Sequence, residues 1–190
     1  IEIARGLLNK AVELDDNLIK AKILLGATYF SVGEYDMAMD IYTSALKQAE
    51  LNGDKRGIGS TLNQIGNIYY RKGEYDQALD HYNRSLKIME ELGDKSGIGS
   101  GLNSIGIIYG IKGDYDKTLD YMSRSLTISE ELGDKSRIGT SFNNIGALYK
   151  RKGEYDKALD YYRRSLKISE ELGDKSGIGN SLNNIGSIYG

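Results

Sequence analysis

The chain has 190 residues, 39% of them apolar, and a formal net charge of −2. That is enough apolar content for a sizeable core, and it gives no long-range electrostatic reason to bind nucleic acid or an anionic membrane. Cysteine is absent, which excludes disulfides, thiolate chemistry and cysteine-based zinc sites.

Proline is absent too, while glycine occurs 24 times and tyrosine 15 times, so long helices are permitted and the glycines must be their ends or their close contacts. No stretch approaches the roughly 18 apolar residues of a membrane span, and none resembles a signal peptide, so a cytoplasmic location is expected.

In chain order, Ala4, Leu8 and Ala11 have the spacing of a helix, followed by a loop at Leu14-Asp15-Asp16-Asn17. Residues 18–52, 53–92, 93–132 and 133–172 each read as a helical hairpin, and residues 173–190 as one further helix. The units are copies: residues 93–132 and 133–172 share 26 identities in 40 positions by direct count. Within the last full unit Phe142, Ile145, Leu148 and Tyr149 form one run of helical period, and Tyr155, Leu159, Tyr162, Leu166 and Ile168 form a second.

Gly133 suits the left-handed residue that closes a helix, and Asp134 suits the cap that opens the next. A second break falls at Lys152-Gly153-Glu154-Tyr155-Asp156, with acids in a first helical turn where the macrodipole favours them. Asp80 and Arg84, Asp120 and Arg124, and Asp160 and Arg164 stand four apart, and are expected to pair on a solvated face.

One stretch invites a different reading. Glu91 to Ser100, ELGDKSGIGS, sets a lysine and a serine among three glycines. A phosphate-binding loop needs G-x-x-x-x-G-K-[ST], however, and here Lys95 and Ser96 precede Gly97 and Gly99. The stretch also recurs from Leu51, Glu131 and Glu171, each copy forty residues after the last. It is therefore read as a helix end, a cap and a helix start, with Gly97 and Gly99 marking close backbone approach.

The pattern L-x-x-I-G-x-x-Y, then G-x-Y, then A-x-x-x-Y runs through Leu62, Ile65, Gly66, Tyr69, Gly73, Tyr75, Ala78 and Tyr82. It returns at Phe142, Ile145, Gly146, Tyr149, Gly153, Tyr155, Ala158 and Tyr162, and with Thr118 and Met122 as departures in the unit between. This resembles the tetratricopeptide repeat. The spacing changes from 34 residues between Ala4 and Ala38 to 40 between Ala38 and Ala78. The 40-residue form with its E-L-G-D-K linker resembles spindle-orientation adaptors, kinesin light chain and the sensor regions of prokaryotic signalling proteins. The resemblance implies an all-α fold, a right-handed superhelical solenoid of antiparallel hairpins spanning residues 1–190, with the first helix of each pair lining a concave surface.

Catalysis has little support. His81, the only histidine, stands where other units have Ile41, Tyr121 and Tyr161. The adjacent acids Glu90 and Glu91 point about 100° apart on a helix and are read as solvated. The tyrosines mostly fall on core positions of the repeat. The chain is read as a non-enzyme, and nothing in it calls for a metal or cofactor.

Asparagine is a mediocre helix former, yet Asn63, Asn103, Asn143 and Asn183 recur in mid-helix beside Gln64, Ser104, Asn144 and Asn184. An amide both donates and accepts, which suits the backbone of an extended peptide. The other reading is that these amides join neighbouring helices and set the superhelix. The resemblance places Ile23, Ala27 and Phe30, then Asn67, Tyr70 and Arg71, then Ile107 and Ile111, then Lys150 and Arg151 along the groove.

The expected partner is a protein or peptide segment, acidic with an apolar anchor, and neither nucleic acid nor membrane. A regulatory sensor region of a larger cyclase, kinase or transcription regulator is the alternative, and a ligand-free spacer a third. The half-hairpins at either end read as part of a longer array whose exposed faces, with Leu8 at one end and Ile185 and Tyr189 at the other, support end-to-end self-association.

Overall fold

A computed structural model describes residues 2–15 and 18–189. Asp16 and Asn17 of the expected first loop lie outside them. Ten helices and no strand occur among the described residues. They are α1 (Glu2–Leu14), α2 (Ile19–Ser31), α3 (Tyr35–Leu51), α4 (Lys55–Lys72), α5 (Tyr75–Leu92), α6 (Lys95–Ile111), α7 (Tyr115–Glu131), α8 (Lys135–Arg151), α9 (Tyr155–Leu172) and α10 (Lys175–Tyr189). The chain forms two compact units, residues 1–94 and 95–190.

The helix boundaries fall where the glycine and acid signals put them. Gly133 has a φ of 64°, a conformation that a side chain disfavours, and its amide bonds the Glu130 carbonyl at 3.0 Å. Asp134 then accepts the Arg137 amide at 3.1 Å and caps α8. Among the second helices α3, α5, α7 and α9, only α7 is capped in this way, by Asp114, which accepts the Lys117 amide at 3.1 Å. Glu34, Glu74 and Glu154 stand at the cap positions of α3, α5 and α9 without a side-chain bond to the helix.

In the 1–94 unit, α2 with α3 and α4 with α5 are antiparallel hairpins. Ala38, Tyr42, Ile65 and Ile68 form a buried cluster, against which Ile23, Tyr29 and Phe30 pack. The glycine of the L-x-x-I-G pattern is a seat for the tyrosine of the second helix. A Cβ on Gly66 would meet the Tyr82 ring at 2.7 Å. Lys22 breaks the pattern: it is 3% exposed at the position that holds Leu62 and Leu102 in later units, and its Nζ donates to Ser44 Oγ at 3.0 Å.

The 95–190 unit repeats the arrangement with α6 and α7, then α8 and α9, and α10 packed on α9. A Cβ on Gly146 would meet the Tyr162 ring at 2.7 Å. The second glycine of the G-I-G pattern finds its explanation here too. A Cβ on Gly99 would stand 3.3 Å from Ile128 Cγ2, and the Gly99 carbonyl accepts the Ser125 hydroxyl at 2.8 Å. Ser165 makes the same bond to the Gly139 carbonyl at 2.9 Å. Close helix approach, with a serine tying the second helix to the exposed carbonyl, accounts for these glycines.

Two of the three expected surface pairs form, Asp80 with Arg84 at 3.5 Å and Asp120 with Arg124 at 3.7 Å. The third does not: Arg164 lies 3.9 Å from the centroid of the Phe142 ring, where it covers a core residue instead of meeting Asp160.

Candidate functional site

In the 95–190 unit the first helices α6, α8 and α10 carry the asparagine row. Asn144 Nδ2 donates to Asn103 Oδ1 at 3.0 Å, and Asn184 Nδ2 donates to Asn143 Oδ1 at 2.8 Å. Each bond links one first helix to the next and uses half of each amide. Asn103 Nδ2 and Asn143 Nδ2 remain as donors, and Asn144 Oδ1 and Asn184 Oδ1 as acceptors, with no partner among the described residues. Asn103, Asn143 and Asn144 are half-buried, while Asn183 is exposed.

The 1–94 unit treats its amides differently. Asn67 is engaged at both ends, its Nδ2 donating to Gln64 Oε1 at 3.0 Å and its Oδ1 accepting from the Tyr82 hydroxyl at 2.7 Å. Its place is between the two helices of its own hairpin. Asn63 is half-buried, and its Oδ1 is buried without a partner among the described residues. Tyr70 is half-buried with its ring 6.1 Å from that of Tyr75.

The cations singled out from sequence are all held by neighbours. Arg71 Nε donates to the Tyr35 hydroxyl at 3.2 Å, which holds the guanidinium pKa above its usual value. Lys150 Nζ donates to Ser187 Oγ at 2.7 Å, and Arg151 lies 5.8 Å from the Tyr115 ring centroid. Each keeps further N–H groups for a ligand.

Arg137 was missed by the sequence reading. It occupies the position of Gly57, Gly97 and Gly177 in the other units, and that exchange of glycine for a cation was the available signal. Its Nη1 and Nη2 reach Ser96 O and Ser96 Oγ, both at 2.8 Å, on the preceding first helix.

His81 is half-buried, its ring 5.1 Å from Tyr69 and its Nδ1 2.9 Å from the Gln77 carbonyl. No group of acids and histidine among the described residues is placed to hold a metal ion. Glu91, Glu131 and Glu171 bond Lys55, Lys95 and Lys135 at 2.8–2.9 Å, closing the open end of each hairpin. The lysine bond holds the Glu91 and Glu171 carboxyls below the usual range. No described helix is long and apolar enough to cross a membrane.

A model of the tetratricopeptide repeat matches residues 17–91, 98–171 and 137–190. No curated protein matches the chain. Among solved structures, BtubC (BKLC) from P. vanneervenii is similar with a TM-score of 0.82 and 20% identity, over 99% of this chain and 80% of that one. A STAND signal-transduction ATPase with a tetratricopeptide repeat sensor, from Pyrococcus horikoshii, has a TM-score of 0.82 and 21% identity, over 99% of this chain and 31% of its own length. A Rap protein complexed with Competence and Sporulation Factor has a TM-score of 0.67 and 16% identity, over 98% of this chain and 57% of that one.

Proposed function

The chain belongs to the tetratricopeptide-repeat family, and from that premise we propose that it binds an extended segment of a partner protein along its first helices. One observation carries the reading. Each of the pairs Asn103 with Asn144 and Asn143 with Asn184 fixes two amides by a mutual bond, and leaves one donor and one acceptor facing no protein partner. A peptide group offers the complementary acceptor and donor. The partner is acidic, because each unit supplies cations with N–H groups to spare, Arg71 in the 1–94 unit and Lys150 and Arg151 in the 95–190 unit. The structural neighbour complexed with Competence and Sporulation Factor supports ligand binding on this fold. The chain acts through binding, without catalysis of its own.

The test is to replace Asn103 and Asn143 with alanine and measure binding to a peptide array, with a thermal melt alongside. Loss of binding by about 1 kcal/mol or more per hydrogen bond is expected, with the chain still folded at the assay temperature after a modest drop in the melt from the two lost inter-helix bonds. A melt that collapses while affinity holds assigns the amides to helix packing alone.

A regulatory sensor region is the second reading, favoured by the likeness to the STAND protein with its repeat sensor. The end faces also support self-association. Of the residues expected to make the contact Tyr189 is 69% exposed while Leu8 and Ile185 are half-buried; Leu182 on α10 and Ile3 and Leu7 on α1, at 53%, 82% and 67%, are the more exposed apolar groups. Light scattering across a concentration series measures it, and a constant monomer mass at millimolar concentration removes the proposal.

A further inference from the structure

Two cavities of the 95–190 unit are copies of one another, forty residues apart. The first, about 190 Å³, opens beside α6 and α8 and is lined by Asn103, Ser104, Ser125, Ser129, Arg137 and Ser141 among others. The second, about 170 Å³, opens beside α8 and α10, with Asn143, Ser165, Ser169, Gly177 and Ser181 at the equivalent positions. The copies differ in charge. The first has a guanidinium and no carboxylate in its lining, and the second has Asp174 and no cation.

The hydrogen-bond inventory of the first cavity is one-sided. The Ser125 and Ser129 hydroxyls are spent on the carbonyls of Gly99 and Ser125, at 2.8 and 2.9 Å. Asn103 Nδ2 and the hydroxyls of Ser104 and Ser141 make no bond among the described residues, and so stay available as donors. Arg137 spends three of its five N–H groups, two on Ser96 and one on Asp134 Oδ2 at 3.1 Å. Those bonds hold the planar fork in place and leave two N–H groups. Asp134 is the one acid that Arg137 already meets, at its Nε; the remaining groups are donors, which is the chemistry that holds a carboxylate.

We propose that the cavity beside α6 and α8 seats an aspartate or glutamate side chain of the bound segment, and that the cavity beside α8 and α10 takes a lysine or other donor from the same segment. The proposal rests on the peptide-binding reading above and names its specificity. Helices in contact pack about 8–10 Å apart. A polyproline-type segment has three residues per turn and rises about 3.1 Å per residue, so positions i and i+3 share a face about 9 Å apart. The segment therefore carries its acid and its base three residues apart.

Arg137→Gly is the informative variant, because glycine is what the other units have at this position and the Asp134 cap receives a backbone amide. One arm titrates N-acetylglutamate with its α-carboxyl blocked as the N-methylamide into the ¹⁵N-labelled chain and follows the Asn103 side-chain amide. A saturable shift is expected in the native chain, absent in Arg137→Gly and absent with the N-methylamide of N-acetylglutamine. The other arm probes an array of Glu-x-x-Lys and Lys-x-x-Glu peptides, with Gln replacing Glu as control. At least a fivefold preference for Glu is expected, lost in Arg137→Gly.

Peptide binding that ignores the acid, with no shift from the blocked glutamate, overturns the seat and leaves the groove reading standing. A blank array together with no shift overturns both. A shift with a blank array supports the carboxylate seat and removes the peptide.

Discussion

The Tyr82 hydroxyl donates to Asn67 Oδ1 at 2.7 Å across its hairpin, whereas forty residues earlier the same two positions hold Tyr42 and Ala27, and the Tyr42 hydroxyl is buried with no partner among the described residues. An unpaired buried hydroxyl costs about 1–3 kcal/mol. Tyr42→Phe is therefore expected to stabilise the chain by about 1 kcal/mol, and Tyr82→Phe, which orphans the Asn67 acceptor, to destabilise it by about 1 kcal/mol. Ala27→Asn should supply the missing acceptor, for a net gain of about 0.5 kcal/mol after its helix-propensity cost. Urea unfolding of the single and double variants checks this, and an equal effect of Ala27→Asn with and without the Tyr42 hydroxyl would contradict it.

Alkaline pH tests the same site. Burial pushes the Tyr42 phenol from 10.0 up to about 12, and raises Tyr162 for the same reason. A phenol with a raised native pKa keeps its proton in the folded chain after the unfolded chain has lost it. Its contribution is thus complete below about pH 10 and is lost as pH rises toward about 12. The decline is expected to be on the order of 1–2 kcal/mol, and shallower in Tyr42→Phe. Denaturant midpoints at pH 9 and pH 11.5 measure it. Parallel declines in the two chains would remove Tyr42 as the cause.

Lys22 is 3% exposed on a position that leucine occupies in later units, and its Nζ bonds the exposed Ser44. An ammonium taken out of water costs desolvation free energy that leucine does not incur. Lys22→Leu is expected to raise the unfolding free energy by about 1 kcal/mol, read from the urea midpoint at constant slope. A lower midpoint would show that the charge is needed where it lies.

Gly146 and Gly186 hold the same position in successive units, but only Gly146 faces a tyrosine ring. Gly146→Ala sets a methyl 2.7 Å from Tyr162 Cδ1 and 3.3 Å from the Ala158 carbonyl. A loss of about 2 kcal/mol is expected from the forced separation of α8 and α9. Gly186→Ala meets open space and is expected to gain up to about 1 kcal/mol from helix propensity alone. Thermal melts of the two variants should move in opposite directions.

The helices, their ends and the register of the repeat are legible in the order of residues. Those signals are local: the period of Phe142, Ile145 and Tyr149, the left-handed Gly133 and the capping Asp134 act within a few residues. The same order marks the amide row and the close approach at Gly99. Which partner each polar group meets follows from packing between helices. Asn67 turned to Tyr82, fifteen residues away, while Asn144 reached Asn103 and Arg137 reached Ser96 across forty-one. Arg164 left Asp160, four residues off, for the face of Phe142. A helical period states which face a side chain occupies. The donor, acceptor or ring opposite that face belongs to another helix, and only packing brings it within about 3 Å for a hydrogen bond or 4–6 Å for a ring contact.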